Sequence, residues 1–234
     1  MLSGQASTLD QATHWPVRFR KGQLIYDEGD LAEAMYRVRQ GCVRLQVTGP
    51  HGARQIIRFV VPGEIFGVCN DRRNTAAEAV TNVELIRLSL HSVMELCAAN
   101  SAAALELMNQ STQAYRDLAH HVERLAHLSA VDHVAWFFEF LRKHGIYGGA
   151  TGHRRMPISH RDVADYLAIT PETLSRSLRI LQDRGVLGGK TLNNSPGRSN
   201  GAAGSAIEGE IASRTMTASS ERAEPEMTAS ACGT

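Results

Sequence analysis

From about Trp15 to Leu90 the hydrophobic and polar residues of the chain follow a β pattern. Val43, Leu45 and Val47 are separated by polar residues, which is the period of a half-buried strand. A short segment with two glycines and a proline interrupts this run, and residues 55–61 resume it, so a hairpin is predicted. Short strands separated by glycines predict a compact antiparallel β-roll or barrel over residues 18–100, with a sandwich as the alternative.

The pattern changes to a helical period near Ser89, which can cap a short helix through Cys97. A long helix is predicted over residues 101–128, and a further helix over residues 130–144 is dense in aromatic residues that we expect in the core. Apolar residues of the long helix recur at roughly 3.5-residue spacing, which favours a dimer seam over packing on the β region. The seam comprises Leu105, Met108, Thr112, Tyr115, Leu118, Val122 and Leu125.

Residues 159–187 predict two short helices joined by a tight turn. Ser159 and Asp162 fit a capping box in its Asp variant at the start of the first helix. Thr170 can cap the second helix, with Pro171 at its first position. Leucines at i, i+4 and i+7 form the buried face of this second helix: Leu174, Leu178 and Leu181. Together these signals predict a helix-turn-helix within a domain spanning residues 129–192.

The exposed positions of the second helix carry residue types that can read base edges of DNA. Glu172 can accept from cytosine N4, Arg176 can bind guanine through two hydrogen bonds, and Ser175 is permissive. Other polar residues nearby are candidates for contacts with the DNA backbone, which position a protein without specifying sequence. They are Arg154, Arg155, Ser159, Arg161, Thr170, Thr173, Arg179 and Arg184.

Composition narrows the class of protein. The 234 residues are 43% hydrophobic and 21% charged, with a net charge of +1, so nucleic-acid binding must come from local charge. No apolar run approaches the ~20 residues of a membrane span, and the N-terminus does not resemble a secretory signal. Four widely spaced cysteines without a CxxC pair favour reduced thiols, so a cytoplasmic location is expected. Residues 1–17 are expected to be an N-terminal tail.

The chain resembles the Crp/Fnr family of bacterial transcription regulators over roughly residues 18–190. The β region contains KGQLIYDEGD, YRVRQGCVRL and VVPGEIFG, and the helical region contains ISHRDVADYLAITPETLSRSLRIL. Glu172, Ser175 and Arg176 are similar to the Fnr/FixK branch, although the N-terminal iron–sulfur cysteines of the oxygen sensor are absent. The expected fold is α+β: a β-roll like that of cyclic-nucleotide-binding domains, a dimerisation helix and a winged-helix-type DNA-binding domain.

This resemblance implies a homodimer that binds a TTGA-type inverted repeat in double-stranded DNA. The two recognition helices would enter major grooves about one helical turn apart. Contact with RNA polymerase, a role as an activator, and gene control linked to oxygen or nitrogen oxides are further expectations from the family. No enzyme motif is present, so the chain is not expected to be an enzyme.

The segment where relatives bind effectors departs from the cyclic-nucleotide binders. Valine, not glutamate, follows Gly67, and Asn74 replaces the hydroxyl residue expected after Arg73. Cys69 and Thr75 complete the candidate effector residues. The sequence predicts no cofactor and no metal, with a cyclic nucleotide and haem left as alternatives, the first of which would make a cyclic-nucleotide-responsive regulator. His120, Glu123 and His127 share one face of the long helix but are not predicted to hold a metal.

The C-terminal end also departs from the family. A wing of two strands should follow the second helix, yet after Leu192 the composition changes to mainly Ala, Ser, Gly, Thr and Glu. Residues 193–234 are therefore expected to be disordered, as a natural extension or a frame-shifted end, and the wing is expected to be incomplete. An effector-binding β-roll with an impaired DNA-binding domain is thus the competing interpretation.

Overall fold

A computed structural model describes residues 7–49, 52, 54–69, 71–147 and 156–187 of the chain. The predicted completeness of the wing, the disorder of residues 193–234 and the backbone contacts of Arg154 and Arg155 all lie outside these described residues. Within them, the chain forms eight strands followed by five α-helices.

The strands form two four-stranded antiparallel sheets. One has the order β1-β8-β3-β6 and the other has the order β2-β7-β4-β5. A buried apolar cluster that includes Val38, Val43 and Leu85 lies between strands of both sheets. The predicted β-roll is therefore present. The strands are β1 (His14–Phe19), β2 (Leu24–Tyr26), β3 (Ala34–Gln40), β4 (Val43–Thr48), β5 (Arg54–Val60), β6 (Ile65–Phe66), β7 (Ala76–Ala79) and β8 (Val83–Ser89).

One glycine shows how tightly the roll closes. Gly41 joins β3 to β4 with a φ of 90°, in the left-handed region that side chains disfavour. A Cβ at this position would also collide with the carbonyl oxygen of Asn82 in the turn before β8. Only glycine fits this approach of two turns.

The helices begin where their capping residues predict. Ser89 accepts a hydrogen bond from the Ser92 amide at 3.4 Å at the start of the first helix. The long second helix has no acidic residue in its first turn and ends with Arg124 and His127 in its last. The helices are α1 (Leu90–Ala99), α2 (Ser101–His127), α3 (Ala130–Lys143), α4 (His160–Tyr166) and α5 (Pro171–Asp183).

The N-terminal residues differ from the expected tail. A 3-10 helix, Thr8–Gln11, buries Leu9 completely, and β1 begins at His14. The Thr8 amide donates to the Glu106 carboxylate of α2 at 2.8 Å. Leu9 packs in a buried cluster with Met35 of β3 and Ala103 of α2, so this contact and the bond to Glu106 hold the segment on the fold.

The largest core cluster joins the β-roll to the helices beyond it. Ile56 and Phe59 of β5 pack with Phe137 of α3 and Tyr166 of α4. The Phe59 and Tyr166 rings meet edge to face with centroids 5.1 Å apart. The aromatic residues predicted as core do fill it, since Phe137 is fully buried and Phe138 is 6% exposed. The helix-turn-helix thus shares a core with the outer face of one sheet.

Candidate nucleic-acid interface

The second helix of the helix-turn-helix, α5, is fixed at its start and along one face. The Thr170 hydroxyl oxygen accepts from the Thr173 amide at 3.2 Å, and Pro171 occupies the first helical position. The three predicted leucines are buried to 1–2% exposure: Leu174, Leu178 and Leu181. This face packs on α3 and α4. The opposite face of α5 is therefore turned to solvent.

The predicted base-reading residues lie on that solvent face. Glu172, Ser175 and Arg176 are all exposed on the first two turns of α5. The Ser175 hydroxyl donates to the Pro171 carbonyl at 2.9 Å, which orients it along the helix. Hydrogen bonds from the Glu172 backbone amide and from Thr170, together with the nearby Arg176 charge, lower the pKa of the Glu172 carboxyl. Glu172 is therefore an ionised acceptor at neutral pH.

The candidates for backbone contact surround this helix start. Ser159 caps α4 by accepting from the Asp162 amide at 3.0 Å. Thr173 is partly buried and already bound to the cap. The remaining described candidates are exposed, and the arginines among them form no salt bridge with other described residues: Arg161, Thr170, Arg179 and Arg184. Such guanidinium groups are available to phosphates.

The first helix of the helix-turn-helix, α4, differs from α5 in the contacts of the acidic residue in its first turn. The sequence pattern predicted Asp162 as the acid of a capping box, but its carboxylate does not serve the helix start. It accepts from Arg44 of β4 at 2.8 Å and from Arg54 of β5 at 2.6 Å. Asp162 is 5% exposed. The prediction was wrong on this point because the arginines of a facing sheet offer charged donors, which are stronger partners than a backbone amide.

The sequence pattern did not indicate Arg44 and Arg54 as parts of this region. They stand at polar positions of strands whose alternation predicted a face in solvent. In the structure α4 covers this face of the sheet, so the Arg44 side chain is only 13% exposed. Two arginines on neighbouring strands of a sheet edge were the available signal, but nothing in sequence placed α4 opposite them.

A second contact links α4 to the long helix. His121 of α2 stacks on Tyr166 of α4 with ring centroids 4.1 Å apart and planes 2° from parallel. His133 of α3 lies 5.7 Å from His121, and Arg124 lies over the ring of Trp136 at 3.6 Å. Burial, with neighbouring positive charge, lowers the pKa of both histidines to about 4. Both rings are therefore neutral at pH 7, and the sequence pattern indicated no role for either.

The predicted dimer seam forms an exposed apolar stripe along α2. Tyr115 is 72% exposed, and Met108 and Val122 are each 58% exposed. The other predicted members are exposed as well: Leu105, Thr112, Leu118 and Leu125. Within the single chain this face of the helix packs against nothing described, unlike the face that carries Ala103 and His121.

The candidate effector residues do not present a free charge. The Arg73 guanidinium is 4% exposed and donates to the carbonyl oxygens of Gly67 and Ala34. It also lies 4.2 Å from the ring centroid of Tyr26. Cys69 contacts Asn74 at 3.7 Å, and Thr75 hydrogen-bonds Tyr26, whose pKa burial raises to about 12. A cyclic phosphate would need Arg73 turned outward, so these residues do not fit a cyclic nucleotide as they stand.

The helix-face histidines show no metal geometry. His120 contacts Glu123 at 3.2 Å, and among the described residues no group of three or more possible ligands comes together. No helix in the described part of the chain is long and apolar enough to cross a membrane.

Comparison with known protein families identifies the same two domains, the β-roll and the helix-turn-helix domain. Residues 16–100 match the family described as cyclic nucleotide-binding domain, and residues 133–193 match the Crp-like helix-turn-helix domain. The chain is 31% identical over 170 residues to the nitrogen fixation regulation protein FixK of Rhizobium meliloti strain 1021, covering 72% of this chain and 76% of that protein. It is 28% identical to FixK of Bradyrhizobium diazoefficiens, covering 73% of each.

Solved structures agree with these relatives. The structure of FixK2 from Bradyrhizobium japonicum is similar with a TM-score of 0.66 and 30% identity, covering 74% of this chain and 86% of that one. The structure of a Crp-family transcriptional regulator of Thermus thermophilus has a TM-score of 0.60 at 24% identity, covering 72% and 85%. The latter shows the shared fold.

Proposed function

The chain belongs to the Crp/Fnr family of DNA-binding transcription regulators, and we propose that it binds a TTGA-type inverted repeat as a homodimer. In this proposal Glu172, Ser175 and Arg176 read the bases of each half-site. The described backbone candidates hold the helix-turn-helix on the phosphates.

The observation that carries the proposal is the solvent face at the start of α5. Glu172, Ser175 and Arg176 occupy it together, while the helix is capped by Thr170 and anchored by buried leucines. An ionised carboxylate, a hydroxyl and an exposed guanidinium within two turns match the donors and acceptors of a major groove. No neighbouring described side chain covers them.

The homodimer is supported by the apolar stripe of α2. Water-exposed apolar residues at this spacing along 27 residues are typical of a helix whose seam meets a second helix. Two copies paired along α2 would carry two α5 helices, as an inverted repeat requires. Val122→Asp should convert the dimer to a monomer in sedimentation velocity, whereas exposed His91→Asn on α1 should leave the dimer intact.

An electrophoretic mobility shift tests the function. The full chain should retard a duplex with both half-sites as a complex of two protomers, and a duplex with one half-site should bind far more weakly. The competing interpretation is a β-roll module with an impaired DNA-binding domain. It predicts no retardation even at low salt by a chain that is dimeric in sedimentation.

The regulated process is proposed from the relatives. FixK proteins are named as nitrogen fixation regulators, and a relative from Pasteurella multocida, 23% identical, is named an anaerobic regulatory protein. We therefore propose activation of genes linked to oxygen or nitrogen oxides, through contact with RNA polymerase. Transcription with purified bacterial polymerase on a promoter carrying the inverted repeat should increase when the chain is added.

A further inference from the structure

We infer that Arg44 and Arg54 of the β-roll are positioning residues for DNA reading, which they serve by fixing α4 and thereby the spacing between the two recognition helices. This inference rests on the proposed function. It assigns a role in half-site selection to residues that contact no base and lie on the other domain.

The contacts form a continuous group of charges. Arg54 donates to Asp162 and to Asp165, each at 2.6 Å, and Arg44 donates to Asp162 at 2.8 Å. Arg44 also donates to Glu78 of β7 at 2.7 Å. We call these five residues, on three strands and α4, the α4 ion cluster.

Burial makes the geometry of the cluster specific. The side chains of Asp162 and Arg44 are 7% and 13% exposed, and those of Arg54 and Asp165 are 28% and 30% exposed. Removal of one partner of a partly buried ion pair lowers the stability of the fold strongly, because the charge that remains is left without compensation. Burial of Arg54 works to lower the pKa of its guanidinium, but its bonds to Asp165 and Asp162 outweigh that effect and raise the pKa. A shift of α4 would break several of these bonds at once.

The position of the cluster connects it to DNA reading. Asp162 lies in the first turn of α4, and α4 packs directly on α5. Four residues further along the same face of α4, Tyr166 packs on Phe59 of β5 and stacks on His121 of the dimerisation helix. The start of α4 is therefore held by charges and its end by rings. With both ends fixed to the β-roll and to α2, the helix-turn-helix cannot turn freely about the connection after α2.

Fixing each helix-turn-helix to its own β-roll fixes the distance between the two copies of α5 in a dimer. One base pair added to the spacer moves a half-site by about 3.4 Å and rotates it by about 35°. A dimer with fixed recognition helices should reject such a site, and a dimer with loosened ones should tolerate it. In the fixed arrangement the reading face of α5 is exposed, as binding to DNA requires.

The experiment measures affinity by fluorescence anisotropy on duplexes whose spacer is optimal, one base pair shorter or one base pair longer. The variants are Arg54→Gln, Arg54→Glu, and Arg54→Glu combined with Asp165→Arg, which restores the pair with reversed charges. Arg18→Gln is the matched control, since Arg18 forms an exposed 2.8 Å ion pair with Glu84 on the other sheet. Thermal unfolding is measured for each variant, and hydrogen exchange reports the amides of α4.

We expect Arg54→Glu to weaken binding to the optimal site roughly tenfold and to reduce discrimination against altered spacers by a similar factor. The reversed pair should regain part of both, since it restores the contact with position 165 but not the one with Asp162, and Arg18→Gln should match the parent. Loss of folding alone would lower active protein without changing spacer preference, and so would contradict the inference. So would tighter binding by Arg54→Glu, or spacer preferences equal to the parent. Failure of the parent to bind any spacer would instead refute the proposed function.

Discussion

The two helices of the helix-turn-helix start with similar sequences and have opposite surroundings. Each begins after a hydroxyl cap and carries an acid in its first turn, Asp162 in α4 and Glu172 in α5. Asp162 is 5% exposed and bound by two arginines, whereas Glu172 is exposed and has no arginine salt bridge among described residues. One acid is committed to holding the domain, and the other is left for a partner. Burial by distant strands makes this difference.

The largest effect should come from the buried acid. Asp162→Ala leaves Arg44 and Arg54 without their shared acceptor, so we expect it to lower the free energy of unfolding by about 2–3 kcal/mol. Urea denaturation at fixed protein concentration measures this change. Glu172→Ala is the matched control and should leave the midpoint nearly unchanged. Equal destabilisation by the two substitutions would remove the distinction between the two helix starts.

Local signals were enough to predict α5 but not the contacts of α4. The cap at Thr170, the proline after it and the leucine spacing all act within one helix, so the pattern predicts the helix and its buried face. The partners of Asp162 lie 118 and 108 residues away in sequence. The strand period predicts that Arg44 leaves the roll core, but it cannot tell whether water or another helix covers that face.

The burial of Leu9 and His121 could not be predicted from the local sequence pattern either. Residues 1–17 were expected to be a tail, yet Leu9 is buried in a cluster with residues of β3 and α2. His121 lies on a helix rich in polar residues, and contacts with Tyr166 of α4 and His133 of α3 bury it. In both cases tertiary contacts determine the burial of the side chain. The β-roll, the long helix and the helix-turn-helix could instead be predicted from residue periodicity and helix caps.

Substitutions at the exposed start of α5 should change DNA binding and not the stability of the fold. Arg176→Ala should reduce discrimination at one base pair of each half-site by about 1–3 kcal/mol, since a guanidinium that binds a guanine edge is lost. A panel of single base-pair substitutions, titrated with the parent and the variant, measures the change. Arg179→Ala should instead weaken all sequences similarly, as loss of a phosphate contact does. If the Arg176 variant discriminates as the parent does, its assigned role is wrong.

A fall in pH should lower the free energy of unfolding through two buried histidines. The His121 ring lies next to the rings of His133 and Tyr166, and Arg124 places a positive charge near both histidines. The pKa values of the two histidines, near 4, lie below the ordinary value of 6.5. The unfolded chain therefore binds more protons between these pH values, and stability is lost as pH falls from about 6.5 to 4. Each histidine can contribute a slope of up to about 1.4 kcal/mol per pH unit.

Urea midpoints of the parent at pH 7, 6, 5 and 4.5 measure this slope, and His121→Gln should flatten it. His120→Gln, beside it on the exposed face, should not. A parent whose stability is constant through this range would show that neither histidine is buried in the neutral form.

A cyclic nucleotide should have the smallest effect. Arg73 is turned into the fold and bound to two backbone carbonyls, so it offers no charge to a cyclic phosphate. We expect cyclic AMP at millimolar concentration to change the affinity for the inverted repeat less than twofold. Calorimetry on the same protein checks for binding that leaves DNA affinity unchanged. A large increase in affinity would favour the cyclic-nucleotide-responsive alternative.

The most direct test of DNA reading by the exposed start of α5 is the ratio of two affinities. Fluorescence anisotropy of the full chain is measured at physiological salt on a duplex with the TTGA inverted repeat and on the same duplex with both half-sites scrambled. We predict that the chain binds the repeat about a thousandfold more tightly, or more, as specific regulators do. Equal affinities for the two duplexes would contradict it.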